Sequence, residues 1–267
     1  MNILKRFALA ITVAFAANVA NVATAADNSI YIDQSGSNAS VSVTQDGAGN
    51  VVRGIQGVGS SNTTPAKIYG DGNQVSVSQI GSGNTLSFGI VTTVANGVNG
   101  GNTYTYSVTG NNATAIINSN SNGQGTSASN RVNISQTGNT ANANINILGS
   151  DNEYVATTSG GAGNSIVTTV NGDSNTPNVS MTQGGGNTAT TTQTGDKNTV
   201  SLVSVGATNT YTLSQTGGST NGHSATLDFN GSGNTVSVTQ QGTSADSVVN
   251  LKSVGSTNTF SINTNTH

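Results

Sequence analysis

Charge, cysteine, proline and tryptophan are scarce in this sequence. Only 6% of the 267 residues are charged, Pro occurs twice, and Cys and Trp are absent. Soluble domains usually carry about 25% charged residues, so an ordinary surface of Lys and Glu is excluded. The missing cysteines exclude disulfides and thiolate metal sites. No basic run is present that would indicate a nucleic-acid partner or an anionic membrane surface.

Residues that perform chemistry are equally few. The two histidines, His223 and His267, lie far apart, and no His-x-His or Gly-x-Ser-x-Gly motif occurs. Such motifs mark metal sites and nucleophilic serines. The Asp residues are scattered beside turns and lack the regular Gly-Gly-x-Gly-x-Asp spacing of calcium-binding β-rolls. We therefore expect no enzymatic activity, no cofactor and no metal ion.

The first 25 residues are predicted to be a signal peptide. Lys5 and Arg6 precede an apolar stretch from Phe7 to Ala17, and Ala23-Thr24-Ala25 supplies a small-residue cleavage site. This apolar stretch is shorter than the roughly 20 residues that cross a bilayer. We expect a secreted mature chain, residues 26–267, forming one repeat domain without a transmembrane segment.

What is abundant is Gly, Asn, Ser and Thr, a composition that fits either a disordered chain or a repetitive β-structure. Asn recurs about every eleven or twelve residues through much of the chain, which indicates a repeat architecture. The recurring residues are Asn38, Asn50, Asn62, Asn73, Asn84, Asn187, Asn198, Asn209, Asn234 and Asn258.

Each recurring Asn is followed by an alternation that predicts a strand with one buried face. After Asn234, for example, the alternate residues are Val236, Val238 and Gln240. Turns of the form Gly-x-Gly-Asn or Gly-x-x-Asn follow, and Gly and Asn tolerate the positive φ that tight turns need. Two strand-turn units make a coil of about 22 residues, so the chain predicts an all-β solenoid of roughly ten stacked coils with amyloid-like cross-β spacing.

Stacking would align side chains of successive coils, so buried amides could hydrogen-bond to each other as ladders. An unpaired buried amide would otherwise cost about 1 to 3 kcal/mol. Asn also suits turns in its own right, whereas Gln at the inward end of a strand has no such reason. The predicted stacking residues are Gln34, Gln45, Gln56, Gln79, Gln136, Gln183, Gln193, Gln215, Gln240, Asn38, Asn50, Asn73, Asn84, Asn187, Asn198, Asn209, Asn234 and Asn258.

Both ends of the predicted solenoid are expected to be open. The first strand is predicted around Ile30-Tyr31-Ile32 and the last around Phe260-Ser261-Ile262, with no convincing capping segment at either. Soluble solenoids hide such ends with charged strands, proline or a capping helix. Open ends favour the axial addition of further strands.

Three segments carry a more specific motif. The run from Gln45 to Gln56 reads Gln-Asp-Gly-Ala-Gly-Asn-Val-Val-Arg-Gly-Ile-Gln, and parts of it recur from Gln183 to Gln193 and from Gln79 to Asn84. These segments resemble the curlin repeat family, the subunits of curli fibres, whose repeat is approximately Ser-x5-Gln-x-Gly-x-Gly-Asn-x-Ala-x3-Gln. Val52 replaces the expected Ala of that repeat.

The resemblance implies a structural subunit of an extracellular functional amyloid at the bacterial cell surface, a curli-type pilus of the biofilm matrix that serves surface adhesion. It implies a homopolymer, export through an outer-membrane curli secretion pore with accessory factors, and assembly on a curlin nucleator or with a sister subunit.

Two alternatives stay open at this point. One is a soluble secreted β-solenoid, an adhesin or an ice-binding module, whose Thr-rich face includes Thr188, Thr190 and Thr192. The other is a disordered matrix protein.

Overall fold

The computed structural model describes residues 27–36, 38–56, 63–93, 101–122, 129–218 and 220–266. The predicted signal peptide, residues 1–25, and Asn62 lie outside the described residues. Within those ranges every regular element is a β-strand, and all strand pairs are parallel. The predicted all-β solenoid is confirmed.

The strands alternate with short corners along the chain. In chain order they are β1 (Ser29–Ile30), β2 (Ile32–Ser35), β3 (Ser40–Asp46), β4 (Val51–Arg53), β5 (Ala66–Tyr69), β6 (Gln74–Ile80), β7 (Thr85–Thr93), β8 (Thr103–Thr109), β9 (Thr114–Asn122), β10 (Arg131–Thr137), β11 (Asn142–Leu148), β12 (Glu153–Thr158), β13 (Ser165–Asn171), β14 (Thr176–Thr182), β15 (Thr188–Thr194), β16 (Thr199–Val205), β17 (Thr210–Gly217), β18 (Ser224–Asn230), β19 (Thr235–Gly242), β20 (Val248–Val254) and β21 (Thr259–Thr266).

Two parallel sheets form the walls of the solenoid. Sheet A contains β1, β2, β4, β5, β7 and the odd-numbered strands from β9 to β21, and sheet B contains β3, β6 and the even-numbered strands from β8 to β20. One coil therefore passes once through each sheet, and the nine strands of sheet B agree with the roughly ten coils predicted. In the first two coils the sheet A strand is split, since β4 and β5 both pair with β7.

The distance along the chain from one coil to the next varies with the connections. Equivalent Asn residues are 22 to 25 positions apart from Asn130 onward, as between Asn130 and Asn152 and between Asn209 and Asn234. Several earlier steps are longer, at 28, 29 and 34 positions, because longer connections follow β4, β7 and β9. The predicted 22-residue coil thus holds where the corners are short.

The interior lies between the two sheets and is filled by every second residue of each strand. In β19, Val236, Val238 and Gln240 are buried while the residues between them are partly or fully exposed. Aromatic rings meet across the interior, as where Tyr211 of sheet A lies 5.3 Å from Phe229 of sheet B between ring centroids. Full burial of a large apolar side chain contributes about 1.5 to 3 kcal/mol, and it is achieved only when coils stack.

Candidate functional site

Two columns of asparagine run along the solenoid at its corners. Each member lies immediately before a strand, and the equivalent residue of the next coil stacks on it. The sheet A amide column comprises Asn28, Asn50, Asn84, Asn164, Asn187, Asn209, Asn234 and Asn258, and the sheet B amide column comprises Asn73, Asn102, Asn130, Asn152, Asn175 and Asn198.

Asn187 shows how one member of a column is satisfied. Its backbone N–H and its Nδ2 both donate to Oδ1 of Asn164 in the preceding coil, at 3.1 and 3.0 Å. Its Nδ2 also donates to the carbonyl of Gly206 in the following coil at 2.8 Å. Its Oδ1 accepts from the backbone N–H of Asn209 at 3.0 Å. This fully buried amide is hydrogen-bonded to both neighbouring coils. Its burial therefore does not carry the free-energy cost of an unpaired buried polar group.

Most of the predicted asparagines occupy these columns. Asn50, Asn73, Asn84, Asn187, Asn198, Asn209 and Asn234 are fully buried, and Asn258 is half-buried.

Asn38 departs from the predicted position. It is exposed in the corner with φ of 56°. Ala39 takes the column position instead, since Ser40, which follows it, donates its N–H to the carbonyl of Asn73 in the next coil.

The columns contain more asparagines than the sequence predicts, and other residue types interrupt them. Asn102, Asn130, Asn152, Asn164 and Asn175 were missed, although each directly precedes a strand and is buried. In the sheet A amide column Ala113 and Ala141 replace two amides, and in the sheet B amide column His223 and Ser247 follow Asn198.

Glutamines stack in two short series. Gln193 Nε2 donates to Gln215 Oε1 at 2.8 Å, and Gln215 Nε2 donates to Gln240 Oε1 at 2.9 Å. At the other end of the solenoid, Gln45 donates to Gln79 at 2.8 Å. These five are the predicted glutamines that form ladders within the described residues.

The remaining predicted glutamines make other contacts. Gln136 is buried, and its Oε1 accepts from the hydroxyl of Tyr106 at 2.9 Å. Gln34 and Gln56 each donate to a nearby glycine carbonyl. Gln183 lies outside the ladders because it occupies a corner, exposed and with φ of 58°, and the last inward position of β14 belongs to Met181.

Buried tyrosines add hydroxyl groups to the interior. Burial raises the pKa of Tyr104, Tyr106 and Tyr154 far above the ordinary value, and it raises the pKa of Tyr211 to about 12. The hydroxyl of Tyr104 donates to Ser119 Oγ at 2.6 Å, and that of Tyr211 donates to Ser204 Oγ at 2.9 Å. These phenols remain neutral over the physiological pH range.

The two end coils differ from the coils between them. The half-buried apolar residues that pack against the core all belong to the end coils: Ile30, Ile32, Val41, Leu251, Phe260 and Ile262. Among the described residues the strand order of each sheet also terminates there, on β1 and β21 in sheet A and on β3 and β20 in sheet B. A strand that no further strand covers presents unpaired backbone donors and acceptors, so within this part of the chain apolar surface and hydrogen-bonding groups coincide at each end.

The hydrogen bonds of the amide columns run in one direction along the axis, so the two ends of the solenoid are different. In the sheet A amide column, Oδ1 of each member accepts from the backbone N–H of the next coil, as Asn234 does from Asn258 at 3.1 Å. Asn258 is the last member of this column and Asn28 is the first. Among the described residues no further coil donates to Oδ1 of Asn258, so the C-terminal end offers the kind of acceptor with which the asparagines of the column receive the next coil.

Other kinds of site are not found in the described part of the chain. No group of three or more His, Asp or Glu residues there is placed to hold a metal ion. Among the same residues, no helix is long and apolar enough to cross a membrane.

The coils, the parallel sheets and the amide columns define the class of this protein as a β-solenoid repeat protein. When the chain is compared with protein-family models, with curated proteins and with solved structures, none of them matches.

Proposed function

We propose that this protein is a structural subunit of an extracellular, curli-type amyloid fibre that grows by end-on addition of one solenoid to another. The observation that carries the proposal is the coincidence, at each end coil, of half-buried core residues with strand edges that no other described strand covers. A second copy placed on the same axis would bury Phe260 and Ile262 and continue both sheets.

The contact would join unlike ends and would therefore repeat from one subunit to the next. An association between two different surfaces of the same chain generates rings or open filaments, and a straight stack of coils favours the filament. The composition supports this geometry, since only 6% of the residues are charged and like-charge repulsion between subunits is correspondingly weak. Parallel in-register strands with Asn and Gln ladders are the arrangement of amyloid.

The proposal includes export and a place at the bacterial surface. Its support is the predicted signal peptide and the curlin-like repeat, which together indicate secretion, a curli secretion pore with accessory factors, and a nucleator or sister subunit. In that setting the fibre would contribute to biofilm matrix and to surface adhesion.

The test compares two lysine substitutions in β21. Ile262 faces the core and is half-buried, whereas its neighbour Ser261 is exposed on the outer face of the same strand. We expect the wild-type protein and Ser261→Lys to form thioflavin-positive fibres at the same rate, because the outer face takes no part in end-on contact. Ile262→Lys should slow elongation by at least about tenfold, since a buried unpaired charge costs several kcal/mol, and in small amounts it should cap wild-type fibres.

Equal elongation by Ile262→Lys, with circular dichroism confirming the strands, would contradict end-on addition at this coil. Loss of elongation in Ser261→Lys to the same extent would point to the outer face of sheet A instead.

A second candidate function is supported by that outer face. Thr188, Thr190, Thr192 and Thr194 pair in register with Thr210, Thr212, Ser214 and Thr216, which creates a grid of hydroxyl groups. The sheet A strands from β7 to β21 contain no charged residue, whereas sheet B carries an exposed Lys252–Asp228 pair. Such a face suits an uncharged surface such as ice or a neutral glycan, and thermal hysteresis or glycan binding by the monomer would favour this candidate.

A further inference from the structure

One member of the sheet B amide column is a histidine. His223 is fully buried, and its backbone N–H donates to Oδ1 of Asn198 at 3.0 Å, as an asparagine in that position would. The corner before it is also longer than Gly195-Asp196-Lys197-Asn198, because β17 ends at Gly217 and β18 begins at Ser224. His223 therefore continues the column with a different side chain.

The imidazole of His223 reproduces the hydrogen bonds of a carboxamide. Asn50 donates from Nδ2 to a carbonyl of its own corner, Asp46, at 3.3 Å and to the glycine carbonyl of the next coil, Gly81, at 2.8 Å. Its Oδ1 accepts from the backbone N–H of Asn84 at 3.1 Å.

His223 has the equivalent partners. Its Nε2 lies 3.2 Å from the carbonyl of Thr216, near the end of the preceding strand β17, and 3.2 Å from the carbonyl of Gly242 in the next coil. Its Nδ1 lies 3.1 Å from the backbone nitrogen of Ser247. Because carbonyls only accept and a backbone N–H only donates, these contacts require the proton on Nε2 and a bare Nδ1. The geometry defines a neutral imidazole.

We propose that His223 is a pH-sensitive member of the column, and that acid loosens the C-terminal coil of the solenoid by protonating it. A proton on Nδ1 would face the N–H of Ser247. Ser247 Oγ lies 2.9 Å from Nδ1 and could accept from it, but the buried N–H of Ser247 would then lose its acceptor. An unpaired buried donor destabilises the closed arrangement.

The charged groups on the surrounding elements form hydrogen bonds or ion pairs of their own. Lys197, in the preceding coil, donates from Nζ to the carbonyl of Thr220 at 3.1 Å. Asp246, beside Ser247, accepts from the N–H groups of Asn221 and Gly222 at 2.9 and 3.1 Å. Among the remaining charges of the packed elements, Asp196 accepts from the N–H of Asp173, and Asp228 pairs with Lys252 on the outer face of sheet B. The imidazole thus has only uncharged hydrogen-bonding partners.

The direction of the pH effect follows from linkage. The closed coil accommodates the imidazole with a bare Nδ1, whereas an opened coil exposes both ring nitrogens to water and can take up a proton without losing a hydrogen bond. Because the opened coil then binds more protons than the closed one, acid favours opening and the stability of this coil falls as the pH is lowered. The affected strands are β20 and β21, which follow Ser247. Any consequence for fibre growth at this end rests on the proposed function, whereas the loosening itself does not.

The test uses NMR and amide exchange on the labelled protein under conditions in which it is monomeric. We expect long-range ¹H–¹⁵N spectra at neutral pH to show His223 as the Nε2–H tautomer. We also expect protection of the Ser247 amide, corrected for intrinsic exchange, to fall by up to about tenfold per pH unit on the acid side of neutrality, since one proton is linked to opening.

Two variants distinguish the effect of protonating His223 from general effects of acid on the protein. His223→Asn restores the residue type of the column and should remove the pH dependence, while His267→Asn should leave it unchanged. An Nδ1–H tautomer, or protection that falls equally in His223→Asn, would overturn the proposal. If His223→Asn does not fold, the tautomer and the wild-type pH profile still decide, and neither readout requires that fibres form.

Discussion

Asparagine recurs at the corners because a carboxamide places a donor and an acceptor on one side chain, so that a single residue can hydrogen-bond to both neighbouring coils. Asn187 uses its acceptor toward Asn209 and its donor toward Gly206 and Asn164. Serine could supply both functions but could not span the same distance, and aspartate would lack the donor. Two natural alanines, Ala113 and Ala141, occupy successive positions of the sheet A amide column, so the solenoid tolerates a gap of two amides there.

We predict that Asn187→Ala lowers the free energy of unfolding by about 2 to 4 kcal/mol, because it leaves the N–H of Asn209 and the carbonyl of Gly206 without this partner in a buried site. Asn171→Ala is the matched control, since Asn171 is exposed on the outer face of β13 and its loss should cost less than about 0.5 kcal/mol. Urea unfolding followed by circular dichroism measures both. Equal losses in the two variants would contradict the importance of the column.

At the residue level the sequence predicts the column at several corners of the form Gly-x-x-Asn, but Asn152, Asn164 and Asn175 end corners of the same form and were missed. The prediction fails at Asn38 and Gln183, because both occupy left-handed corner positions that the spacing places in phase with strand residues. It also misses Asn102 and Asn130, which follow connections of irregular length. His223 shares no residue type with the column, and only its hydrogen bonds reveal its role.

The repeating element is a strand followed by a corner in which glycine has a left-handed or related conformation. Gly231 has φ of 145°, and a Cβ on it would lie 2.0 Å from the carbonyl oxygen of Gly255 in the next coil. Gly255 has a similar φ of 128°, but no following coil covers it, and the nearest heavy atom to its Cβ position is Asn258 Nδ2 at 3.5 Å. A comparison of the two glycines therefore separates the free-energy cost of the backbone conformation from the cost of a clash with the next coil.

We predict that Gly231→Ala destabilises the protein more than Gly255→Ala does. Both variants bear the conformational penalty of about 1 to 3 kcal/mol for an L-residue at such a φ, but Gly231→Ala adds a clash whose cost is about 1 to 3 kcal/mol, as in an overpacked core. Thermal unfolding of the two variants measures the difference. Identical melting temperatures would contradict the close approach of successive corners.

Strand alternation is the feature of the elements that the sequence predicts best, because inward Val, Leu and Ile at every second position have no other explanation. The split strands are not predicted. An insertion between β4 and β5 breaks the sheet A strand of the second coil, and Gly54 donates its N–H to Thr64 at 2.7 Å to close that insertion. Tyr31 likewise lies between β1 and β2 rather than within one continuous strand.

For the whole molecule, each coil contacts only its two neighbours, so stability is a sum of neighbouring interfaces and is lowest at the ends. The apolar residues of the end coils, among them Ile30 and Phe260, are only half-buried because a neighbouring coil covers them on one side alone. The number of coils could be predicted from the repeat, whereas the direction of the amide columns, from Asn28 to Asn258, is a property of three-dimensional hydrogen bonding. That direction gives the solenoid two unlike ends.

The most direct measurement for end-on assembly is electron cryomicroscopy, with fibre diffraction, of the protein incubated at micromolar concentration. We predict unbranched filaments whose strands lie perpendicular to the axis, with a spacing of about 4.7 to 4.8 Å along it, and a subunit repeat of about 45 Å from nine to ten stacked coils. In the map, β21 of one subunit should lie beside β1 and β2 of the next. A protein that stays monomeric for days, or filaments joined through the outer face of sheet A, would contradict end-on assembly.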